Sequence, residues 1–385
     1  MTIPLVLVGD GPHEPTGLGR IHRDLGSFLA QSGLPVELLS IGGSTPPVWD
    51  RWRHYPLNPA NEDWGASQVE GYYRAIFGDR PGIVWCIWDP GRLWAYVNLD
   101  LPVEKWAYTA IDATNQNGTL SGPAAEALRR FDRVLAYGKW AGQILKSVTG
   151  RGQYLPHGIV GAQYRAEDPQ QLPFVASTLG RYYKPGQTLI GCIATNQPRK
   201  DLGIFTQTLR ELRRRGRNVY GWLHTDQLIK AWSVQQLAED ADLLRRLTVT
   251  TDTFDDQQLV ALLQQCDLTI APGLGEGFGY PIIESLAAGT ICLHGDYAGG
   301  AELLPKTEWR IPVRESRLES VYALQRPVFR VEDWANAAER ALDWREAVGR
   351  DVARAYCQGA AEGYDWGRIW PRWYAWIKAG LEGRG

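Results

Sequence analysis

Two glutamates, Glu276 and Glu284, stand eight residues apart in a stretch that also holds Gly273, Gly275, Gly277 and Gly279. This spacing puts one carboxylate in a glycine-rich loop and the other about a turn into the helix predicted from Pro281 to Ala288. Small residues let backbone amides approach a ligand, and a helix start adds unpaired N–H groups and a positive dipole end. Such a loop suits an anion, most simply a phosphate. Two carboxylates beside it would repel that anion, so they serve better as acceptors for hydroxyl groups, as on a sugar and a ribose. The plainer reading is a glycine-rich turn with one glutamate favouring the helix dipole, and the second carboxylate argues against it.

The elements that must position these residues are short. A mostly apolar run, Cys266 to Ala271, precedes the loop, and Thr290 to Leu293 follows the helix, which gives strand, loop, helix, strand. Two other strand-to-helix loops carry cations. Strand 3–8 leads to Gly17, Leu18, Gly19 and Arg20, where amides and a guanidinium meet at a helix start. Their spacing is not G-x-G-x-x-G, and no acidic ribose ligand follows at the distance a dinucleotide fold requires. Strand 188–194 leads to Arg199 and Lys200, adjacent cations able to neutralise a leaving diphosphate. Asp112 follows the predicted strand Val103 to Ile111, at the end where open α/β sheets bind ligands, and is either functional or a simple turn or cap residue.

The segment E-G-F-G-Y-P-I-I-E-S-L-A-A-G resembles the glutamate, seven residues, glutamate signature of retaining nucleotide-sugar glycosyltransferases of family 4. The resemblance includes Asp267 at a strand start and extends over nearly the whole chain, most weakly over 42–80. It implies an α/β protein of the GT-B fold, two Rossmann-like domains with parallel sheets facing an interdomain cleft. The domains are expected at 1–168 on the acceptor side and 169–360 on the donor side. The terminal helix, 361–385, is expected to pack back on the first domain, with a linker over 161–186, where charge, proline and glutamine replace periodic apolarity.

By the same resemblance Gly17, Gly19 and Arg20 form the loop that closes over the donor diphosphate. Glu276 orients the donor sugar, and Glu284 accepts from the ribose. Arg199, Lys200 and the amides of Gly277, Phe278 and Gly279 stabilise the leaving charge. Two departures stand out. Family members carry His-Asp where this chain has Ile111-Asp112, so Asp112 or Asn115 is expected to meet the acceptor. An arginine usually found about five residues before the lysine is Thr195 here, which leaves Arg199 to compensate. His157 lies in Y-L-P-H-G-I, which resembles the segment before the family's linker; it either reaches the cleft or is an exposed loop histidine.

The expected reaction moves a hexose-type sugar from a nucleotide-diphosphate sugar to a hydroxyl acceptor with retention. No metal is needed, and no Asp-x-Asp or histidine cluster argues for one. An epimerase, a phosphorylase and a non-catalytic carbohydrate binder stay open. The chain has 385 residues, enough for two domains, and a formal charge of -2 without a basic tract, so nucleic acid is not indicated. Cys86, Cys192, Cys266, Cys292 and Cys357 are scattered and read as buried thiols of a reducing compartment. With no leader or membrane-spanning run, a cytoplasmic protein is expected, its homodimerisation undecided. There are 17 tryptophans, and Trp366, Trp370, Trp373 and Trp376 are expected to line a carbohydrate groove or a domain seam, or to fill core.

Overall fold

The structure is a computed structural model describing residues 2–43, 51–58, 62–166, 168–320 and 322–383. The chain divides into two compact units, Met1–His157 with Ile369–Gly385, and Gly158–Arg368. These divisions fall after 157 and 368, where the sequence reading placed them after 168 and 360.

The first unit is built on a parallel sheet of β1 (Ile3–Gly9), β2 (Val36–Gly42), β3 (His54–Tyr55), β4 (Gly82–Ile87), β5 (Val103–Thr109), β6 (Arg133–Ala136) and β7 (Gln153–Tyr154). Their order is β3-β2-β1-β4-β5-β6-β7. Strands covered on both faces read as continuous apolar runs, which is why IPLVLV and GIVWCI are legible. Side chains alternate between the faces. Val84 and Cys86 join the core beneath the helix Ala66–Phe77, with the Trp88 that follows the strand. Trp85, paired in register with Trp106, points to the other face. There the final helix, Trp366–Glu382, lays Trp373 and Trp376 against them, with ring centroids 6.0 and 5.5 Å from Trp85. The indole N–H of Trp373 donates to Pro156 O and that of Trp376 to Gln153 Oε1. Trp370 stacks on Phe28 at 5.0 Å. These three tryptophans fasten the last helix to the first unit's own strands and helices, and Trp373 fills core rather than a groove.

The second unit repeats the plan with β8 (Thr188–Ile193), β9 (Val219–His224), β10 (Leu247–Thr250), β11 (Leu268–Ala271), β12 (Ile291–Gly295) and β13 (Arg310–Ile311). Their order is β10-β9-β8-β11-β12-β13, all parallel. An antiparallel pair, β14 (Glu315–Glu319) and β15 (Leu324–Val328), stands apart from that sheet. Each unit is thus a Rossmann-like domain, as expected.

The expected linker is a correction. The segment 161–186 belongs to the second unit, and half of it forms the helices Gly161–Arg165 and Leu172–Leu179. Among its described residues only Tyr164, Val175 and Leu179 supply large buried side chains, too few for a readable period. Gln264 fixes the segment by donating from Nε2 to Tyr164 O and Ala166 O.

Candidate active site

In both sheets the strand order reverses once, between β1 and β4 and between β8 and β11. The crevice beyond the carboxyl ends of the strands at such a reversal is where open α/β sheets bind ligands. In the second unit this brings together the loop after β8, with Arg199 and Lys200, and the loop after β11, with the glycines and Glu276. The two loops are stitched by one backbone and one side-chain hydrogen bond. Leu274 N–H donates to Arg199 O at 2.7 Å, and Arg199 Nη1 donates to Gly275 O at 3.1 Å.

Across that stitch the carboxylate of Glu276 lies between two cations. Lys200 Nζ is 2.5 Å from Oε1, and Arg199 Nη1 is 3.7 Å from Oε2. A Cβ on Gly273 would sit 2.7 Å from Oε1, so that glycine leaves room for the carboxylate. Burial by itself would raise the acid's pKa, but the charges of Lys200 and Arg199 outweigh it and bring it down to about 2. Glu276 is therefore ionised throughout the neutral range.

Glu284 sits in the helix Tyr280–Ala287, 6% exposed, and accepts a hydrogen bond from Tyr164 Oη at 3.1 Å. The turn entering this helix depends on Gly279, whose φ is +106° and where a Cβ would lie 2.9 Å from Ile282 Cδ1. Gly299 allows another close approach, because a Cβ there would collide with the carbonyl of Gly277. Phe278 turns its ring into the interior, edge-on to Tyr280 and Tyr364, so only its backbone is placed to meet a ligand.

Sequence reasoning missed three participants. Tyr164 lay in the supposed linker. Gly299 followed the second strand with nothing to mark its approach to Gly277. His294 lies in β12, paired with Ala271 of β11, one residue beyond the predicted run Thr290 to Leu293. Its Nδ1 donates to Ala271 O at 2.7 Å, and burial lowers its pKa, so a neutral imidazole stands behind the Glu276 carboxylate.

The first unit's expected residues lie on its own ligand edge. The helix Gly17–Gln31 begins there, capped by Thr16, whose hydroxyl takes the amide of Gly19 at 2.9 Å. A Cβ on Gly19 would be 2.5 Å from Glu14 O and 2.7 Å from Gly11 O, so this glycine serves the folding back of the β1 loop. Arg20 lies along the same helix with Nε 3.8 Å from Asp24. Asp112 follows β5 as expected. Asn115 does not offer its amide to a ligand: Oδ1 accepts from Asn117 N, Thr119 N and Thr119 Oγ1, and Nδ2 donates to Leu120 O. His157 is buried among Tyr108 and Tyr137, its Nδ1 2.9 Å from Tyr108 Oη. Burial and then the charge of Arg20 hold its pKa well below the usual range, which makes it a neutral core histidine, not an exposed loop residue.

Among the described residues no helix is long and apolar enough to cross a membrane. All five cysteines are buried and free of disulfides.

Residues 187–326 match the family model described as glycosyl transferases group 1. No curated protein sequence matches the chain. Solved structures do match over its length. Sucrose-phosphate synthase from Thermosynechococcus elongatus superposes with a TM-score of 0.77 at 16% identity, covering 100% of both chains. HepE of Anabaena, in complex with UDP-glucose, gives 0.75 at 13% identity over 98% of this chain and 100% of its own. A glycosyltransferase from Rickettsia africae gives 0.71 at 13% identity over 99% of each. The fold is GT-B, and the match to the glycosyl transferases group 1 model lies within its second unit.

Proposed function

We propose that this GT-B chain is a glycosyltransferase that moves a hexose-type sugar from a nucleotide-diphosphate sugar to a hydroxyl acceptor, with retention at the anomeric carbon. One observation carries the reading: Glu276 is held between Lys200 and Arg199 at the topological switch point of the unit that matches the group 1 model, in a loop opened by glycines. Cations and a carboxylate fixed together suit a ligand that is anionic at one end and hydroxylated at the other, which describes the diphosphate and the sugar of the donor. HepE, of the same fold, holds UDP-glucose, so UDP-sugars head the donor candidates.

Glycosyl transfer breaks the bond between the anomeric carbon and the phosphate oxygen. Arg199, Lys200 and the amides of Gly277, Phe278 and Gly279 stabilise the negative charge that grows on the leaving diphosphate. Glu276 takes hydrogen bonds from donor sugar hydroxyls. Glu284, already accepting from a hydroxyl in Tyr164, accepts from the ribose diol as well, since a carboxylate has about four acceptor sites. The acceptor hydroxyl attacks the face the phosphate leaves, forms the new bond to the anomeric carbon and passes its proton to a phosphate oxygen. Asp112 positions the acceptor. The nucleoside diphosphate then departs.

Calorimetry with UDP, GDP, ADP and their sugar conjugates tests the donor site. Selective binding of one nucleotide, weakened at least tenfold by Glu284→Ala, is the expected result. Absence of binding to every member would sink the assignment and leave a carbohydrate binder as the better account.

A further inference from the structure

The reversal between β1 and β4 gives the first unit a ligand crevice of the same kind as the donor site, and its side chains are held in a definite arrangement. Asp10 directly follows β1, Trp88 directly follows β4, and Arg92 comes one turn later, its N–H donating to Asp89 O. The guanidinium of Arg92 lies over two indoles, its carbon 4.8 Å from the ring centroid of Trp64 and 4.7 Å from that of Trp88. Trp88 is buried, and Trp64 is tied down by Tyr96 Oη, which donates to its carbonyl at 2.8 Å. Two aromatic faces fix the plane of the guanidinium and leave its N–H edge as the part that can bond.

That edge meets a carboxylate. Arg92 Nη1 is 3.9 Å from Asp10 Oδ1, too far for a hydrogen bond, and Asp10 Oδ2 accepts from Thr16 Oγ1 at 2.7 Å. Both side chains stay accessible, 30% exposed for Arg92 and 24% for Asp10. Asp10 is also anchored through its backbone. Its carbonyl accepts from His22 Nδ1 at 2.7 Å, and that imidazole is kept neutral at about pKa 3, first by burial and also by His54 and His13. Ser40 Oγ completes the support, 2.8 Å from His22 Nε2 and 2.7 Å from His54 Nδ1. A guanidinium and a carboxylate are thus both immobilised, almost in contact and still open to solvent.

The geometry points to an acceptor-reading site: Asp10 and Arg92 bind an uncharged, polyhydroxylated acceptor, a saccharide, in preference to its phosphorylated counterpart. Each hydroxyl both donates and accepts, so a neighbouring pair of hydroxyls matches a fixed N–H edge and a fixed carboxylate side by side. A phosphate offers acceptors almost alone. It would gain from Arg92 and be repelled by Asp10, and the pair's formal charges cancel. This inference rests on the glycosyltransferase reading and adds the acceptor's chemical class.

Initial rates are measured on the full chain with the nucleotide sugar that the calorimetric panel selects, against neutral mono- and disaccharides and their 6-phosphates. Neutral sugars are expected to exceed their phosphates at least tenfold in kcat/KM. Asp10→Asn, which keeps the shape and the Thr16 contact, and Arg92→Lys, which keeps the charge but loses the fork, are each expected to raise the acceptor KM at least tenfold. The donor KM stays within twofold in both. Thermal melts confirm that the variants fold, and Asp10→Asn alone suffices should Arg92→Lys not. Preference for the phosphates, donor cleavage by water with no neutral sugar accepted, or an acceptor KM unmoved in the folded variants overturns the inference. Failure to bind or cleave any nucleotide sugar instead overturns the glycosyltransferase reading, and the acceptor class falls with it.

Discussion

Lys200 Nζ stands 2.5 Å from Glu276 Oε1, and both side chains are only 12% exposed. The two residues are 76 apart in sequence and come from different strand-to-helix loops, so their ion pair ties the loop after β8 to the loop after β11. Whatever binds at this switch point meets a charge pair already formed.

The pair makes stability depend on acid. The pKa of Glu276 is depressed from 4.5 to about 2 in the folded chain, so its contribution is fully present above pH 4.5 and is lost as pH falls through 2. Relative to Glu276→Gln, the wild type should lose on the order of 2 kcal/mol of its advantage between pH 5 and pH 2. Urea unfolding of both proteins across that range measures it. Parallel curves would mean that the carboxylate is not held by the lysine.

On the proposed reading, Glu276 competes with the donor's diphosphate for Lys200 and Arg199. Neutralising it frees both cations, so Glu276→Gln should bind the free nucleoside diphosphate several-fold more tightly. Sugar transfer should fall by about 10²-fold or more, because the donor's hydroxyls lose their charged acceptor. Calorimetry and initial rates on the same preparation separate the two effects. Weaker nucleotide binding in the variant would show that Glu276 helps hold the diphosphate end and does not oppose it.

Tyr164 and Glu284 divide differently. Tyr164→Phe removes one hydroxyl from a buried carboxylate and should cost about 1–2 kcal/mol of stability, while a ribose can still take the vacated acceptor site. Nucleotide affinity should therefore change less than about threefold, against at least about tenfold for Glu284→Ala. Denaturant melts and titration calorimetry read the pair. Equal losses of affinity would place Tyr164 itself against the nucleotide.

The glycine loop after β11 was legible because each of its parts is local. Continuous apolar runs mark parallel strands, glycines mark a loop of close approaches, and the two glutamates are eight residues apart. What escaped was tertiary. His157 looked like a loop residue because the tyrosines that bury it, Tyr108 and Tyr137, come from other segments of the sheet. Asn115 looked available because nothing in D-A-T-N-Q-N-G-T shows that one side chain will bridge its own loop. In the segment 161–186 charge, glutamine, proline and glycine interrupt the apolar residues, and its helices are fixed by a few contacts such as that of Gln264 with Tyr164. The glycines of G-L-G-R drew attention as a ligand loop, and for Gly19 a folded-back chain at Glu14 supplies the reason for the residue type.

The tryptophans give a prediction about stability rather than chemistry. Trp373 is fully buried, touches the rings of Trp85 and Tyr108 at 6.0 and 5.0 Å, and donates its indole N–H to Pro156 O at 2.9 Å. It is contributed by the last helix, so it fastens the end of the chain beneath strands from its beginning. Trp373→Ala should cost about 3–5 kcal/mol, the range for emptying a large aromatic site. Trp373→Phe should cost less, because a ring still fills part of the space and the main loss is one hydrogen bond with some packing. Trp94, 49% exposed, serves as the contrast: Trp94→Ala should stay within about 0.5 kcal/mol of wild type. Denaturant unfolding followed by circular dichroism ranks the three variants. A Trp373→Ala protein as stable as the Trp94→Ala protein would mean that the last helix does not complete the core of the first unit.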